Sequence, residues 1–180
     1  MNDKKVRLKE ILLEKAIKFG DFTLASGKKS NYYINGKMAT LDSEGLYLMA
    51  EIMLDKLEGI NCDAVGGLTL GADPMIGAVT ALAYKRGRKM IGFIVRKEAK
   101  DHGTKSQVEG PLQEGMKVAI IEDVATTGGS AFKAIDAASA LGCEIVKILV
   151  LVDRRQGAEE KFRELNIPFD PIFRKEELGL

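Results

Sequence analysis

The stretch of sequence richest in chemically useful side chains runs from Val118 to Ser130. Four apolar residues precede the acids Glu122 and Asp123, and threonines, glycines and a serine then open a predicted helix. Free amides at a helix start bind phosphate, and glycines allow a ligand to approach them closely. Carboxylates accept hydrogen bonds from sugar hydroxyls and orient hydrated cations. Acids followed by free amides therefore predict a site for a ribose 5-phosphate.

The same stretch has a purely structural interpretation, in which Ser130 caps the helix and the two acids cover the end of a strand. The acidic pair and the paired threonines favour the ligand site. Other nucleotide motifs do not match: no G-x-G-x-x-G follows a strand, and residues 26–30 lack the spacing of a Walker A loop. Dinucleotide and P-loop sites are therefore disfavoured.

A second unusual feature is the interval 96–115, RKEAKDHGTKSQVEGPLQEG, which is almost devoid of apolar residues. Loops of this length inside a domain are commonly functional lids, so the interval predicts a lid, with a solvated hairpin as the alternative. It holds His102, the only histidine of the chain.

The surrounding sequence predicts the elements that position these residues. Apolar periodicity from Val6 to Ile17 predicts an N-terminal helix that ends at Gly20, and an aromatic run at Tyr32 predicts a strand. Helices and near-continuous apolar strands then alternate, which indicates an α/β fold with a mainly parallel central sheet flanked by helices. The predicted elements are a helix from 43 to 57, a strand from 64 to 67, a helix from 74 to 85, strands 90–95 and 117–121, a helix from 131 to 141 and a strand from 144 to 152.

Length and composition set the broad class. One domain spanning 1–180 is expected for 180 residues. The 27 basic and 26 acidic residues nearly cancel, so neither nucleic acid nor an anionic membrane is an expected partner. The charged N-terminus resembles no export signal, and Cys62 and Cys143 match no disulfide framework, so we expect reduced thiols and a cytoplasmic location.

The acidic-pair stretch closely resembles the phosphoribosyl pyrophosphate (PRPP) motif of the type I phosphoribosyltransferases. Two further segments, Phe22 to Tyr33 and Arg96 to Gly103, resemble signatures of the orotate phosphoribosyltransferase family, as does Asp153-Arg154. The resemblance spans nearly the whole chain. It implies the type I phosphoribosyltransferase fold with a small N-terminal hood.

The resemblance also implies an activity: Mg²⁺-dependent transfer of ribosyl 5-phosphate from PRPP to N1 of orotate, which gives orotidine 5′-phosphate and pyrophosphate in pyrimidine biosynthesis. The implied catalytic residues are Lys100, His102 and Asp123, and the implied orotate ligands are Thr126 and Arg154. The metal is bound mainly through PRPP, with Asp123 as a ligand through water. A homodimer that shares the lid between subunits is implied. The PRPP-binding residues are Arg96, Lys97, Lys100, His102, Glu122, Asp123, Val124, Ala125, Thr126, Thr127, Gly128, Gly129 and Ser130.

The sequence departs from the family pattern at two places. Many members carry lysine where Ala25 stands, and lysine within the segment occupied here by Gly67–Pro74. Backbone amides of Leu70 to Ala72 are our candidate replacement for the second lysine. Weaker candidates for contacts with the base are Lys28, Lys29, Tyr33 and Ile34. Two other functions stay open, namely transfer to another base and a regulatory PRPP sensor without catalysis.

Overall fold

The centre of the protein is a mainly parallel sheet whose successive strands are added outward from the middle, first on one side and then on the other. The computed structural model describes residues 3–23, 29–98 and 107–180. Within these residues the strand order is β5-β4-β3-β6-β7-β8, with β5 alone antiparallel to its neighbour. The helices are α1 (Asp3–Ile11), α2 (Lys37–Thr40), α3 (Ser43–Lys56), α4 (Asp73–Lys85), α5 (Gly129–Ala140) and α6 (Ala158–Glu164). The strands are β1 (Ile17–Thr23), β2 (Lys29–Ile34), β3 (Ala64–Leu68), β4 (Ile91–Val95), β5 (Val108–Glu109), β6 (Lys117–Ala125), β7 (Glu144–Asp153) and β8 (Phe169–Arg174).

Helices cover both faces of this sheet, which explains why its strands are apolar without alternation. Ile120 of β6 and Leu149 of β7 are fully buried but belong to different clusters, one on each face. The cluster that includes Leu149 also holds residues of α1, α3 and α4, and the cluster that includes Ile120 holds residues of α5 and α6. The predicted α/β fold with a mainly parallel sheet is confirmed.

The strand order changes direction between β3 and β6, which are adjacent and parallel in the sheet. From β3 the chain proceeds to β4 on one side, and from β6 it proceeds to β7 and β8 on the other. Ligands of open α/β sheets bind beyond the carboxyl ends of the strands at such a switch point. The fold therefore marks the ends of β3 and β6 as the place for a site.

The predicted N-terminal hood is a small sheet in which β1 pairs antiparallel with β2. Here the sequence prediction was wrong in one respect, since α1 ends at Ile11 and not at Gly20. Residues Leu12–Ala16 form a π-helical turn, and Ile17 begins β1 opposite Ile34. Pairing with β2 outweighs the helical periodicity of the sequence.

Two further differences concern segments that the sequence left without regular structure. Strand β5 lies inside the interval 96–115 and pairs with β4, while Leu112 packs against the core. Helix α6 and strand β8 follow the last predicted strand and complete the sheet. No helix within the described ranges is long and apolar enough to cross a membrane.

Candidate functional site

A cavity of about 300 Å³ opens at the switch point, beyond the carboxyl ends of β3 and β6. Polar and backbone groups from the ends of β3 and β6, the starts of α2 and α5 and the segment after β4 converge on it. Its lining residues are Lys37, Leu68, Thr69, Leu70, Gly71, Ala72, Lys97, Ile121, Glu122, Asp123, Ser130 and Ala131. The structure thus brings together the acidic pair, Ser130 and the turn after β3.

Glu122 is the more deeply buried acid of the pair. Its Oε2 is shielded from solvent and has no hydrogen-bond partner among the described residues. Burial raises the pKa of Glu122 to about 7, and the charge of Asp123 adds to the rise, while a hydrogen bond with Ser130 opposes it. An orphaned carboxylate oxygen at a cavity wall is a ready acceptor for a ligand hydroxyl.

This burial predicts a pH-dependent stability. Because the folded chain holds the Glu122 proton more tightly than the unfolded chain, stabilisation is complete below about pH 4.5 and is lost as pH rises through about 7. Urea unfolding measures the free energy of unfolding at pH 5 and at pH 8. Its decrease from pH 5 to pH 8 should be about 3 kcal/mol smaller in Glu122→Gln than in the parent. An equal decrease in both proteins would mean that Glu122 titrates normally.

Asp123 occupies a narrow slot between two glycines. Its Oδ1 accepts a hydrogen bond of 2.9 Å from the Val124 amide, and its Oδ2 lies 3.7 Å from Lys37 Nζ. A Cβ on Gly71 would lie 2.6 Å from Oδ1, and one on Gly36 would lie 3.0 Å from Oδ2. Only residues without side chains allow both segments to approach the carboxylate this closely.

The start of α5 carries the amides that the sequence predicts to bind phosphate. Gly128 has φ +81°, and no side chain caps the helix in the described structure. Helix α6 packs against this turn. Gly128 lies so close to Phe162 that a Cβ on it would be 2.7 Å from the ring, and Lys161 Nζ donates to the Thr127 carbonyl at 3.2 Å. The first amides of α5 are thus free of a side-chain cap, as anion binding requires.

The turn after β3 forms the opposite wall of the cavity. Thr69 and Leu70 are joined by a cis peptide bond, and Thr69 Oγ1 donates to Asp73 Oδ2 at 2.6 Å. The Ala72 amide donates to the Leu68 carbonyl at 3.5 Å. Of the candidate anion-binding amides Leu70 to Ala72, those of Leu70 and Gly71 are therefore the better placed.

Arg154 lies buried at the carboxyl end of β7, beside the end of β6. Its amide donates to the Ala125 carbonyl at 2.9 Å, and its guanidinium stacks over the Tyr32 ring, 4.8 Å from the centroid. Its Nε lacks a partner among the described residues, as does Oδ2 of the neighbouring Asp153. A buried guanidinium with an unused donor suits a carboxylate ligand.

The remaining candidates are distributed unevenly. Lys97 lines the cavity, whereas Arg96 is exposed and lies 3.5 Å from Glu109. Tyr33 is 43% exposed and Ile34 belongs to the core, so neither is among the described cavity residues. Residues predicted to act that lie outside the described residues are Lys100, His102 and Lys28.

Sequence reasoning missed three contributors, Lys37, Tyr32 and Phe162. The alternation of β2, which buries Tyr32 and Ile34 and exposes Tyr33, could have identified the correct tyrosine. Gly157 followed by acids and then by bases is a helix-start pattern that could have predicted α6 and its Phe162. No sequence signal indicates Lys37, which reaches the site through the fold of the hood.

Comparison with known proteins agrees with this geometry. The family model for the phosphoribosyl transferase domain matches residues 45–170. An orotate phosphoribosyltransferase of Nostoc sp. is 45% identical over 93% of this chain and 81% of that protein. One from Streptomyces avermitilis is 41% identical over the full length of both chains.

Solved structures agree as well. Mycobacterium tuberculosis orotate phosphoribosyltransferase in complex with Fe(III) dicitrate superposes with a TM-score of 0.87 at 34% identity, covering 98% of this chain and 99% of that one. The same enzyme in complex with PRPP superposes with a TM-score of 0.83 at 30% identity and the same coverage. The chain therefore belongs to the phosphoribosyltransferase family and, within it, to the orotate phosphoribosyltransferases.

Proposed function

We propose that this chain transfers the ribosyl 5-phosphate of PRPP to N1 of orotate, releasing pyrophosphate. The observation that carries the proposal is the junction of β6 and α5, where two carboxylates near the end of β6 are followed, after a short turn, by a helix start without a side-chain cap. That arrangement suits a sugar whose hydroxyls meet the acids and whose 5-phosphate meets the amides. The full-length relatives named orotate phosphoribosyltransferase support the same substrate pair.

In this proposal different groups of the site bind different parts of the two substrates. The amides of 127–130 hold the 5-phosphate, and Glu122 and Asp123 accept hydrogen bonds from the ribose hydroxyls. The guanidinium of Arg154 holds the orotate carboxylate, and Thr126 donates to the ring. The bond from C1 to the diphosphate oxygen breaks with its electron pair on that oxygen. N1 of orotate supplies the pair for the new bond and loses its proton, which the departing diphosphate accepts. Cations beside the leaving oxygens lower the barrier.

The cations of the segment after β4 are proposed to act on the diphosphate. Four residues neutralise its charge: Arg96, Lys97, Lys100 and His102. Lys100 is the principal catalytic residue, and the second role of His102, after pyrophosphate binding, is to donate a proton. Because β5 and Leu112 tie the later part of the predicted interval 96–115 to the sheet and core, the lid is proposed for the part between β4 and β5. Its closure during the reaction would also exclude water from the activated ribosyl group. Lys97 at the cavity wall supports this assignment.

Mg²⁺ is proposed as the cofactor. Among the described residues no group of three or more metal-ligating side chains exists, but Mg²⁺ commonly binds through one or two carboxylates together with substrate phosphates and waters. Asp123 and Glu122 fit that mode, since Glu122 Oε2 has no partner among the described groups. When bound, the metal neutralises charge on the diphosphate oxygens.

A homodimer that shares the lid is also proposed. An apolar groove of about 430 Å³ between α3 and α4 supports an interface on that side, because its lining includes Leu46, Tyr47 and Leu82 and exposed apolar patches commonly mark interaction surfaces. The cytoplasmic location and the single domain likewise stay predictions.

An absorbance assay of orotate consumption tests the function. With PRPP and Mg²⁺ we expect orotate to disappear and pyrophosphate to form in equal amounts, and we expect chelation of Mg²⁺ to abolish both. Uracil, hypoxanthine and adenine should give no pyrophosphate. Release with a purine would indicate transfer to another base, and PRPP binding without release with any base would indicate a sensor.

A further inference from the structure

A lysine that follows the hood sheet lines the cavity together with Lys97. Lys37 begins α2, directly after the hood strand β2 and the residues Asn35 and Gly36. It lines the same cavity as Lys97 and the turn after β3. These two lysines are the cations among the described lining residues. The segment that follows the hood sheet thus contributes a charge to the cavity.

The contact between Lys37 and Asp123 is too loose to explain the lysine as a structural partner. Its ammonium lies 3.7 Å from Asp123 Oδ2, and its side chain is 42% exposed. Asp123 Oδ1 already accepts the Val124 amide. Exposed ion pairs of this length contribute little to folding, so the ammonium can exchange its carboxylate partner for a ligand at low cost.

The position of Asp123 brings this lysine close to the turn after β3. Gly36, the neighbour of Lys37, borders one carboxylate oxygen, and Gly71 borders the other. Lys37 and the turn that carries the Leu70 and Gly71 amides therefore approach the same carboxylate, and both line the cavity. The turn 69–72 has no cationic side chain of its own, so a polyanion bound to its amides would need charge from a neighbouring segment.

We infer that Lys37 binds the diphosphate group of PRPP and of the pyrophosphate product. When Asp123 accepts a ribose hydroxyl, the Lys37 ammonium moves to the diphosphate oxygens held by the Leu70 and Gly71 amides. The inference rests on the proposed function. It makes Lys37, at the start of α2, the cation that the turn 69–72 lacks.

Direct binding measurements test this role without relying on turnover. Isothermal titration calorimetry measures the Kd of the parent, Lys37→Gln and Lys37→Arg for two ligands. The ligands are inorganic pyrophosphate with Mg²⁺ and, separately, ribose 5-phosphate. We expect Lys37→Gln to weaken pyrophosphate binding at least about tenfold and ribose 5-phosphate binding less than about twofold. Lys37→Arg should restore most of the pyrophosphate affinity. Lys18→Gln, which removes an exposed hood lysine outside the cavity lining, should bind both ligands like the parent.

Two results would overturn the inference. Unchanged pyrophosphate affinity in Lys37→Gln would mean that the lysine does not contact the diphosphate. Equal losses for both ligands would mean that Lys37 acts only through Asp123. Failure of the parent in the orotate assay would instead contradict the proposed function, while the pyrophosphate titration would still decide the role of Lys37.

Discussion

Asp123→Asn and Lys100→Ala are each expected to turn over at least about a hundredfold more slowly than the parent. Asparagine keeps the size of Asp123 and the acceptor for the Val124 amide, but it removes the negative charge that we propose stabilises the ribosyl group as positive charge develops on C1. Alanine at position 100 removes a cation assigned to the leaving diphosphate. Both losses fall on the transition state, so kcat should decrease with little change in KM for PRPP.

Steady-state kinetics with PRPP and orotate varied separately measures both effects. Unchanged kcat in both variants would contradict the catalytic assignment, and an increase in KM alone would assign the residue concerned to substrate binding. Mixing the two inactive variants tests the shared lid. If Lys100 acts in the partner's site, random mixed dimers should recover about a quarter of the parent activity, since half of the dimers are mixed and one of their two sites is intact.

Gly71→Ala is expected to lower kcat/KM for PRPP by about a hundredfold. The added Cβ would lie 2.6 Å from Asp123 Oδ1 and 2.9 Å from its Cγ, so either the turn or the carboxylate must move. Movement of the carboxylate breaks its hydrogen bond to the Val124 amide, and movement of the turn displaces the amides that we propose hold the diphosphate. The φ of Gly71 is outside the left-handed region, so the effect is one of contact and not of backbone strain.

Gly77→Ala is the matched control for this substitution. Gly77 lies six residues further along in α4, and a Cβ there meets no atom within 4 Å. Alanine should leave kcat/KM unchanged and stabilise the helix by up to about 1 kcal/mol. Equal kinetics for Gly71→Ala and the parent would show that the turn and Asp123 are less tightly coupled than their distance indicates.

The proposed sugar-phosphate half of the candidate site could be derived from the sequence because its residues are contiguous. A buried strand, two acids and a glycine-rich helix start occupy residues 118–130, and local rules for strands and helix starts suffice to recognise them. The parallel sheet could also be predicted from local sequence, because the near-continuous apolar runs of β6 and β7 are typical of strands covered on both faces.

The rest of the site depends on contacts between distant segments. Tyr32 meets Arg154, more than a hundred residues away, only because the hood folds over the end of β7. The approach of Gly36 and Gly71 to Asp123 likewise joins three separate segments. The extent of α1 was wrong because pairing of Ile17 with Ile34 is invisible to helical periodicity.

The division between the continuous segment 118–130 and the distant pair Tyr32 and Arg154 has a consequence for evolution. Substitutions of Tyr32 or Arg154 would alter the proposed base-binding end of the site and leave the residues of segment 118–130, which are proposed to hold the sugar, unchanged. A lineage of such enzymes can therefore change its choice of nucleobase while inheriting one ancestral means of activating the pentose.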